Sequence, residues 1–384
     1  MSAIRQVALQ EVAQIEREIV AASDIDDGTL YVGLENIESG GRLVNVRPVD
    51  AGELLSNKFA FTPRHMLYGK LRPYLAKIAR PDFQGICSTD ILPVLPGPDL
   101  DRGYLAWLLL SPEMVSRANS RASGANLPRL SPKALAELQI PLPSLPEQRR
   151  IAEILDKADA LRAKRRAALA QLDIVTQSIF LEMFGDPATN PKGWPRMAFG
   201  QVCETRLGKM LDQKKQTGEH RRPYLRNANV QWFRFDLASL FEMDFDENDR
   251  RTLRVLPGDL LICEGGEPGR AAVWQGALDE CYFQKALHRA RPDPKLAYPD
   301  YLSWLLWFLT HRGKLSGVTS ATIAHLTGEK LAVLPCMLPP LPLQAEFANR
   351  LADVRSLERR HLAALAEADA LFAALQHRAF RGEL

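Results

Sequence analysis

Apolar residues recur at alternating three- and four-residue steps along residues 146–184. That spacing places them on one narrow face of a helix, and no Gly or Pro interrupts the pattern between Pro146 and Gly185. A stripe only two positions wide is typical of a helix that pairs with one other helix. The pattern therefore predicts one long helix with a helical partner. Its pairing seam is predicted to contain Ile151, Ala158, Leu161, Arg165, Leu172 and Ile179.

The chain contains a second stretch with the same pattern near its end, predicted to form a helix over residues 342–380. A constant shift of 196 residues carries the first helix onto the second. The seam of the second helix is predicted to contain Phe347, Val354, His361, Ala368 and Leu375. Arg165 and His361 are matched by the shift and stand at the middle of their helices. We expect these two residues to meet if the helices pair antiparallel.

The internal repeat extends into the segments before each helix. The same shift carries LSPKALAELQIPLPSLPEQ onto LTGEKLAVLPCMLPPLPLQ, and a shift of 197 carries YLAWLLL, from Tyr104, onto YLSWLLW, from Tyr301. The sequence therefore predicts one unit used twice, a globular domain followed by a long helix. The predicted boundaries are 1–145 for the first domain, 146–184 for its helix, 185–341 for the second domain and 342–384 for its helix.

Each globular segment mixes strand and helix patterns. TLYVGLENI, RLVNVRPV and GICSTDILPVLP are typical of strands, and the apolar YLAWLLL and YLSWLLW runs are typical of helices. These patterns predict the α+β class, with two tandem α/β domains. Trp107 and Trp304 fall at equivalent positions inside the apolar runs, and we expect both in the cores.

Composition narrows the function classes without selecting one. The net charge is only +3, and only residues 185–341 are mildly basic, with 21 basic against 18 acidic residues. Any nucleic-acid contact must therefore be local. The five cysteines have no paired spacing, which predicts a reduced, cytoplasmic chain without a zinc site. The longest apolar run is about half a membrane span, so we expect no contact with a membrane.

Several stretches accompany the duplicated domain and helix. They are the IPLPSLPEQRRIAEILD junction, the LEMFGDPATNPKGW exit from the first helix, and the YVGLENI and GDLLICEGG stretches. In these features the chain resembles the specificity (S) subunits of Type I restriction-modification enzymes. The second junction departs from the pattern, because LPLQAEF has Leu343 in place of the Glu of the first junction's Glu-Gln pair.

The resemblance implies a sequence-reading subunit without an active site. Two target-recognition domains would each read one half of a bipartite site on double-stranded DNA, and the two helices would form an antiparallel coiled coil between them. Two methyltransferase subunits would dock on the assembly, and translocase-nuclease subunits would join for cleavage. The chain itself would hold no cofactor, and S-adenosylmethionine would bind the methyltransferase subunits.

Candidate DNA contacts follow from the basic and polar loops, because Arg pairs with guanine edges and Lys with phosphates. The first domain offers Lys70 and Arg72, and Arg121, Asn126 and Arg129 in the loop SRASGANLPR. The second domain offers the basic run of Lys209, Lys214, Lys215, Arg221, Arg222 and Arg226, and the loop residues Thr319, Ser320 and Thr322. The alternative for the basic run is a solvated loop.

Asn227 and Asn229 are weaker candidates for DNA contacts. An asparagine can read an adenine edge, but hydrogen bonds within a turn are the favoured interpretation for these two.

Two alternative functions stay open at the level of sequence. A DNA-modifying enzyme with its own active site would need a cofactor loop or a metal-binding acidic cluster. NPKGW lacks the second Pro of a methyltransferase motif, and the acidic residues of FEMDFDENDR resemble an exposed loop. A coiled-coil scaffold without DNA function is the other alternative, although a scaffold does not require two large domains.

Overall fold

The structure is a computed structural model that describes residues 5–212, 216–313, 315 and 325–384. The chain divides into two compact units. The first unit consists of Met1–Ala167 and Leu362–Leu384, and the second of Ala168–His361. Because the division passes through both long helices, each unit contains a globular part and a portion of each helix.

The first unit builds its globular part from short strands and helices. Its strands are β1 (Arg5–Ala8), β2 (Ala13–Ile15), β3 (Ile19–Val20), β4 (Thr29–Val32), β5 (Arg47–Val49), β6 (Lys58–Phe61), β7 (Met66–Gly69), β8 (Ile78–Ala79), β9 (Gly85–Cys87), β10 (Ile91–Pro96) and β11 (Gln139–Leu142). Its helices are α1 (Leu9–Val12), α2 (Arg102–Leu109), α3 (Pro112–Ser120), α4 (Pro132–Ala136) and the beginning of α5 (Leu145–Phe184).

The strands of the first unit form three sheets. One has the order β2-β10-β7-β8 and is antiparallel throughout. A second has the order β3-β6-β9-β4-β5, in which β4 and β9 are parallel. The third is the antiparallel pair of β1 and β11.

The second unit repeats this plan. Its strands are β12 (Arg196–Ala198), β13 (Cys203–Leu207), β14 (Arg221–Leu225), β15 (Val230–Gln231), β16 (Arg234–Phe235), β17 (Phe241–Asp244), β18 (Leu260–Cys263), β19 (Ala271–Val273), β20 (Tyr282–Phe283), β21 (Leu287–Pro292) and β22 (Pro335–Met337). Its helices are α6 (Phe199–Val202), α7 (Glu247–Thr252), α8 (Pro299–His311), α9 (Gly328–Ala332) and the beginning of α10 (Leu341–Arg381).

The sheet orders confirm the internal duplication. The β13-β21-β18-β19 sheet of the second unit has the order of β2-β10-β7-β8, and the β12-β22 pair corresponds to β1-β11. The parallel pairing of β14 with β20 likewise corresponds to that of β4 with β9. The α+β prediction and the repeat are therefore both seen in the fold.

The two long helices pair antiparallel within each unit, as predicted. In the first unit, Arg162 of α5 binds Asp369 of α10, with Nε 2.6 Å from Oδ1. In the second unit, the rings of Phe180 and Phe347 lie 5.5 Å apart. Residues early in α5 thus meet residues late in α10, and residues late in α5 meet residues early in α10.

The structure corrects one position in the predicted seam. Leu161 is 43% exposed, so its placement in the seam is wrong. The half-buried residues Ala158, Arg162 and Arg165 step by four and then three positions, so the seam passes through the residue after Leu161. At this turn Arg162 faces α10 instead, with its guanidinium 4.3 Å from the centre of the Phe372 ring. Ile151, Phe347 and Ala368 are buried. The expected meeting of Arg165 and His361 stays a prediction.

A buried glutamine joins the first turns of each long helix to the globular part. Gln148 accepts a hydrogen bond from the Asp101 N–H at 2.8 Å and donates to the carbonyls of Asp99 and Pro143 at 3.0 and 2.9 Å. Gln344 accepts from the Tyr298 N–H at 2.9 Å and donates to the carbonyls of Leu296 and Pro339 at 3.2 and 2.8 Å. The duplicated sequence therefore produces the same three hydrogen bonds twice.

The cores account for the apolar runs and the cysteines. Trp107 and Trp304 are both only 5% exposed, which confirms their assignment to the cores. All five cysteines are buried and free, and burial raises the pKa of the Cys336 thiol to about 12.

By length and composition alone, α5 could span a membrane. This is weak support for a membrane span, because the apolar Phe180, Met183 and Phe184 of the same helix are buried in the core of the second unit.

Candidate nucleic-acid interface

Two loops of the first unit pair at the end of the β2-β10-β7-β8 sheet. The loop after β7 and the segment before α4 join through an antiparallel bridge between Leu71 and Arg129. The Arg72 N–H donates to the Pro128 carbonyl at 2.7 Å, and the Leu130 N–H donates to the Lys70 carbonyl at 2.9 Å. The fold thus brings Arg129 beside Lys70 and Arg72, which lie far from it in sequence.

Asp90 organises two of these cations. Its Oδ1 lies 3.6 Å from Lys70 Nζ and 3.4 Å from Arg129 Nε, and its carbonyl accepts a hydrogen bond from the Lys70 N–H at 2.9 Å. The side chains of Lys70 and Arg129 are 23% and 45% exposed. One carboxylate facing two cations leaves a local positive excess, which suits a polyanion. Sequence reasoning missed Asp90, because no motif or charge run marks it.

The other predicted contacts of the first unit lie around this cluster. Asn126 is exposed on a hairpin closed by reciprocal backbone hydrogen bonds between Ser123 and Arg129, at 2.8 and 3.0 Å. Arg121 follows the last turn of α3 and donates from Nη1 to the Glu137 carbonyl at 3.3 Å. The hairpin therefore connects Asn126 to the cluster, whereas the Arg121 side chain bonds to the end of α4.

The second unit has the same loop pairing with different charges. The Glu264 N–H donates to the Ala286 carbonyl at 3.0 Å, and the Leu326 N–H donates to the Glu264 carbonyl at 2.8 Å. These bonds repeat those made by Lys70 with Asp90 and Leu130. Glu264 therefore stands in the second unit where Lys70 stands in the first. Ala286 and His325 correspond to Asp90 and Arg129 by the shift of 196.

A buried histidine lies behind the second unit's loop. His288 is 2% exposed, and its Nε2 lies 3.0 Å from the Leu326 carbonyl and 3.6 Å from a carboxylate oxygen of Glu264. Burial lowers the pKa of the His288 imidazole, against a smaller raising effect of the Glu264 carboxylate. Strand pairing aligns His288 with Leu92 of the first unit, so this titratable group has no counterpart there.

The basic run of the second domain makes several contacts within its own unit. Lys209 forms an ion pair with Asp249 and donates to the Asp244 carbonyl at 2.8 Å. Arg222 binds Glu280 with Nε 2.8 Å from Oε2. These two side chains therefore stabilise the fold of their own unit.

Of the two other described arginines in the basic run, Arg226 packs against its own unit and Arg221 is exposed. The Arg226 guanidinium lies 3.6 Å from the centre of the Phe241 ring, whereas Arg221 begins β14 with an exposed side chain. The remaining candidates of the second domain, Lys214, Lys215, Thr319, Ser320 and Thr322, lie outside the described residues.

The two candidate asparagines of the second domain have turn roles, as favoured. Asn229 is 3% exposed, accepts from the Arg226 N–H at 2.9 Å and donates to the Asp236 and Ser239 carbonyls. Asn36 makes the equivalent bonds in the first unit, accepting from the Gly33 N–H at 2.9 Å. The Asn227 side chain accepts from the Ala228 N–H at 2.9 Å.

The acidic residues of FEMDFDENDR also have structural roles. Asp244 accepts hydrogen bonds from the backbone N–H groups of Gly218, Thr217 and His220, which hold the pKa of its carboxyl below the usual range. Asp246 caps α7, accepting from the Asp249 N–H at 2.8 Å. Among the residues that the structure describes, no three His, Cys, Asp or Glu side chains cluster as metal ligands would.

Comparison with known proteins gives a family match that includes the basic cluster. Residues 68–171 match the Type I restriction modification DNA specificity domain. The Type I restriction enzyme EcoDI specificity subunit of Escherichia coli is 30% identical over 179 residues, covering 45% of this chain and 40% of that protein. The EcoKI specificity subunit of Escherichia coli K12 is 24% identical over 306 residues, covering 73% of this chain and 65% of that protein.

Solved structures share the fold along the whole chain. A chain from a study of complex assembly and conformational transition of the type I R-M system is 23% identical, with a TM-score of 0.63 over 100% of this chain and 99% of that chain. The S subunit from M. genitalium is 13% identical, with a TM-score of 0.62 over 99% and 97%.

Residues 68–171 thus carry a Type I restriction modification DNA specificity domain, and the chain is similar to Type I restriction enzyme specificity subunits, as its sequence predicts. It spans 40% and 65% of the lengths of the two curated relatives described above.

Proposed function

We propose that this chain is the sequence-reading subunit of a Type I restriction-modification complex. Each unit reads one half of a bipartite site on double-stranded DNA. The observation that carries the proposal is the duplication, in which the buried framework is repeated while the charges of the exposed loops change. Lys70 and Arg129 in one unit correspond to Glu264 and His325 in the other. Two units built alike with differently charged loops suit two half-sites of different sequence.

The first unit contacts DNA through its basic cluster in this proposal. Lys70 and Arg129 are partly exposed and share one carboxylate, so both keep hydrogen-bond donors for phosphate oxygens. Arg72 and Asn126 lie on the same paired loops and present exposed side chains. In the second unit, Arg221 is the exposed described member of the basic run.

The chemistry belongs to partner subunits. Two methyltransferase subunits dock on the chain and bind S-adenosylmethionine, and translocase-nuclease subunits join for cleavage. The chain itself is non-catalytic and cytoplasmic, without a membrane partner. Asp244 and Asp246 of the acidic FEMDFDENDR stretch are engaged within their own unit, since Asp244 binds a turn and Asp246 caps a helix.

Reconstitution tests the division of labour. The full chain, purified alone, is expected to transfer no methyl group from S-adenosylmethionine to DNA and to leave DNA uncut. Addition of purified methyltransferase subunits is expected to start methyl transfer, and addition of these subunits without the chain is the control. Methyl transfer by the pure chain alone would contradict the proposal and favour an enzyme with its own active site.

A further inference from the structure

Arg72 adopts a backbone conformation that side chains rarely tolerate. Its φ of 52° and ψ of 68° place it in the left-handed region, directly before Pro73. In this region Cβ crowds the backbone, so non-glycine residues there store strain. The surrounding bonds impose the conformation, because the Arg72 N–H donates to the Pro128 carbonyl at 2.7 Å.

The duplicate shows that the fold does not require an arginine at this position. Lys70 and Glu264 are equivalent by their backbone hydrogen bonds, so Arg72, two residues after Lys70, corresponds to Gly266, two residues after Glu264. Gly266 also has a positive φ, 79°. A left-handed residue therefore occurs two positions after the bridging residue in both units, as glycine in one and as a strained arginine in the other, although the loop is one residue shorter in the second unit.

The Arg72 side chain has no structural role that would offset this strain. It is exposed, and within the described part of the chain its guanidinium has neither a hydrogen bond nor an ion pair. Lys70 and Arg129 beside it are oriented by Asp90. Strain kept at one exposed residue, on a loop fixed by its backbone, is typical of a group that acts on a ligand.

We propose that Arg72 reads a guanine base in the half-site of the first unit. The inference rests on the proposed function and adds the chemistry of one base position. A guanidinium can pair with guanine O6 and N7 in the major groove through two parallel N–H donors. Such pairing needs a fixed approach, which the constrained backbone supplies, whereas a phosphate contact tolerates a flexible side chain. Gly266 leaves the second unit without this contact.

Three variants of the full chain, each assembled with methyltransferase subunits, test the inference. Arg72→Gly removes the side chain and the strain, and should raise Tm by about 2 °C. Arg72→Lys keeps the positive charge without the two-donor fork. Ala76→Gly is the matched control, because Ala76 is also left-handed, with φ 47°, and follows the same turn. It should raise Tm with recognition unchanged.

Binding is measured on duplexes in which each guanine of the recognised site is replaced in turn by 7-deazaguanine, which lacks N7. One replacement, in one half-site, should weaken the wild-type complex about tenfold or more. The same replacement should have no further effect on Arg72→Gly or Arg72→Lys. The Ala76→Gly complex should respond to it as the wild type does.

Two results would overturn the inference alone. One is a loss of affinity in Arg72→Gly that is equal for all DNA sequences, with the salt slope reduced by about one, since that result identifies a phosphate contact. The other is an unchanged recognition pattern in Arg72→Gly. A wild-type complex that shows no preferred sequence would overturn the proposed function as well, which separates the two failures.

Discussion

The two units of this chain have the same buried framework and different exposed loops. Gln148 and Gln344 make matching sets of hydrogen bonds, and Asn36 and Asn229 close matching turns. The paired loops at the sheet end repeat their backbone bonds, yet Lys70 is replaced by Glu264. Duplication therefore kept the residues that hold the backbone and changed those that face outward.

The contacts between the two long helices are chemically different in the two units. In the first unit, Arg162 binds Asp159 and Asp369 and lies over the Phe372 ring. In the second unit, Phe180 packs against Phe184 and Phe347 and is fully buried. The same antiparallel pairing therefore rests on ionic and cation–π contacts at one place and on an aromatic core at the other.

The largest effect is expected from the aromatic core. Phe180→Ala removes a fully buried ring and should lower the free energy of unfolding by about 3–5 kcal/mol. Arg162→Met, which keeps the aliphatic packing of a partly exposed side chain, should cost about 1 kcal/mol. Urea unfolding of the full chain measures both. Equal losses would contradict the contrast between the two helix contacts.

The glutamines test whether the framework is equivalent in the two units. Gln148→Leu and Gln344→Leu each leave three backbone groups without their partners and should each cost about 3 kcal/mol. Glu147→Ala, beside Gln148, removes only a surface ion pair with Arg150 and should change stability by less than about 0.5 kcal/mol. Urea unfolding again gives the values. A loss of stability in only one of the two glutamine variants would show that the framework is not equivalent in the two units.

The charge difference between the loops can be reversed. Lys70→Glu installs the residue of the second unit in the first, and should weaken DNA binding while lowering the salt slope by about one, as one phosphate contact is lost. Lys157→Glu, on the exposed surface of α5, is the control for net charge and should change the slope less. Fluorescence anisotropy at several salt concentrations measures this. Equal salt slopes in the two variants would show that Lys70 does not contact DNA.

The smallest effect concerns His288. Because its pKa is lowered in the fold, the unfolded chain binds the proton more readily, and stability should fall as the pH decreases through about 6.5. His288→Leu introduces the Leu92 residue of the first unit and should flatten that pH dependence, although it also loses the bond to the Leu326 carbonyl. Tm measured from about pH 7.5 to 5.5 is the test, and an unchanged slope in the variant would contradict it.

The sequence predicts the features of the fold that follow from hydrophobic periodicity and from the internal repeat. The long helices were expected over residues 146–184 and 342–380, and they cover Leu145–Phe184 and Leu341–Arg381. Repetition also predicted which residues share a position. Periodicity failed at Leu161, because a step of three and a step of four both fit an apolar stripe, and the step of four places Arg162 in the seam.

The candidate interface was predicted only in part. Lys70, Arg72 and Arg129 stood out by charge, but their assembly around Asp90 depends on contacts between distant segments. The basic run of the second domain looked uniform in sequence. Its members differ in the fold, since Arg222 binds Glu280 while Arg221 is exposed. Neighbouring charges in a sequence do not predict which of them face solvent.

The central claim is that each unit reads its own half of one DNA site. Methylation-motif sequencing of DNA modified by the full chain with its methyltransferase subunits tests this claim most directly. We expect two specified blocks separated by unspecified bases, and any change of motif caused by Arg72→Gly should be confined to one block. A single contiguous motif, or changes in both blocks from this variant, would contradict the account.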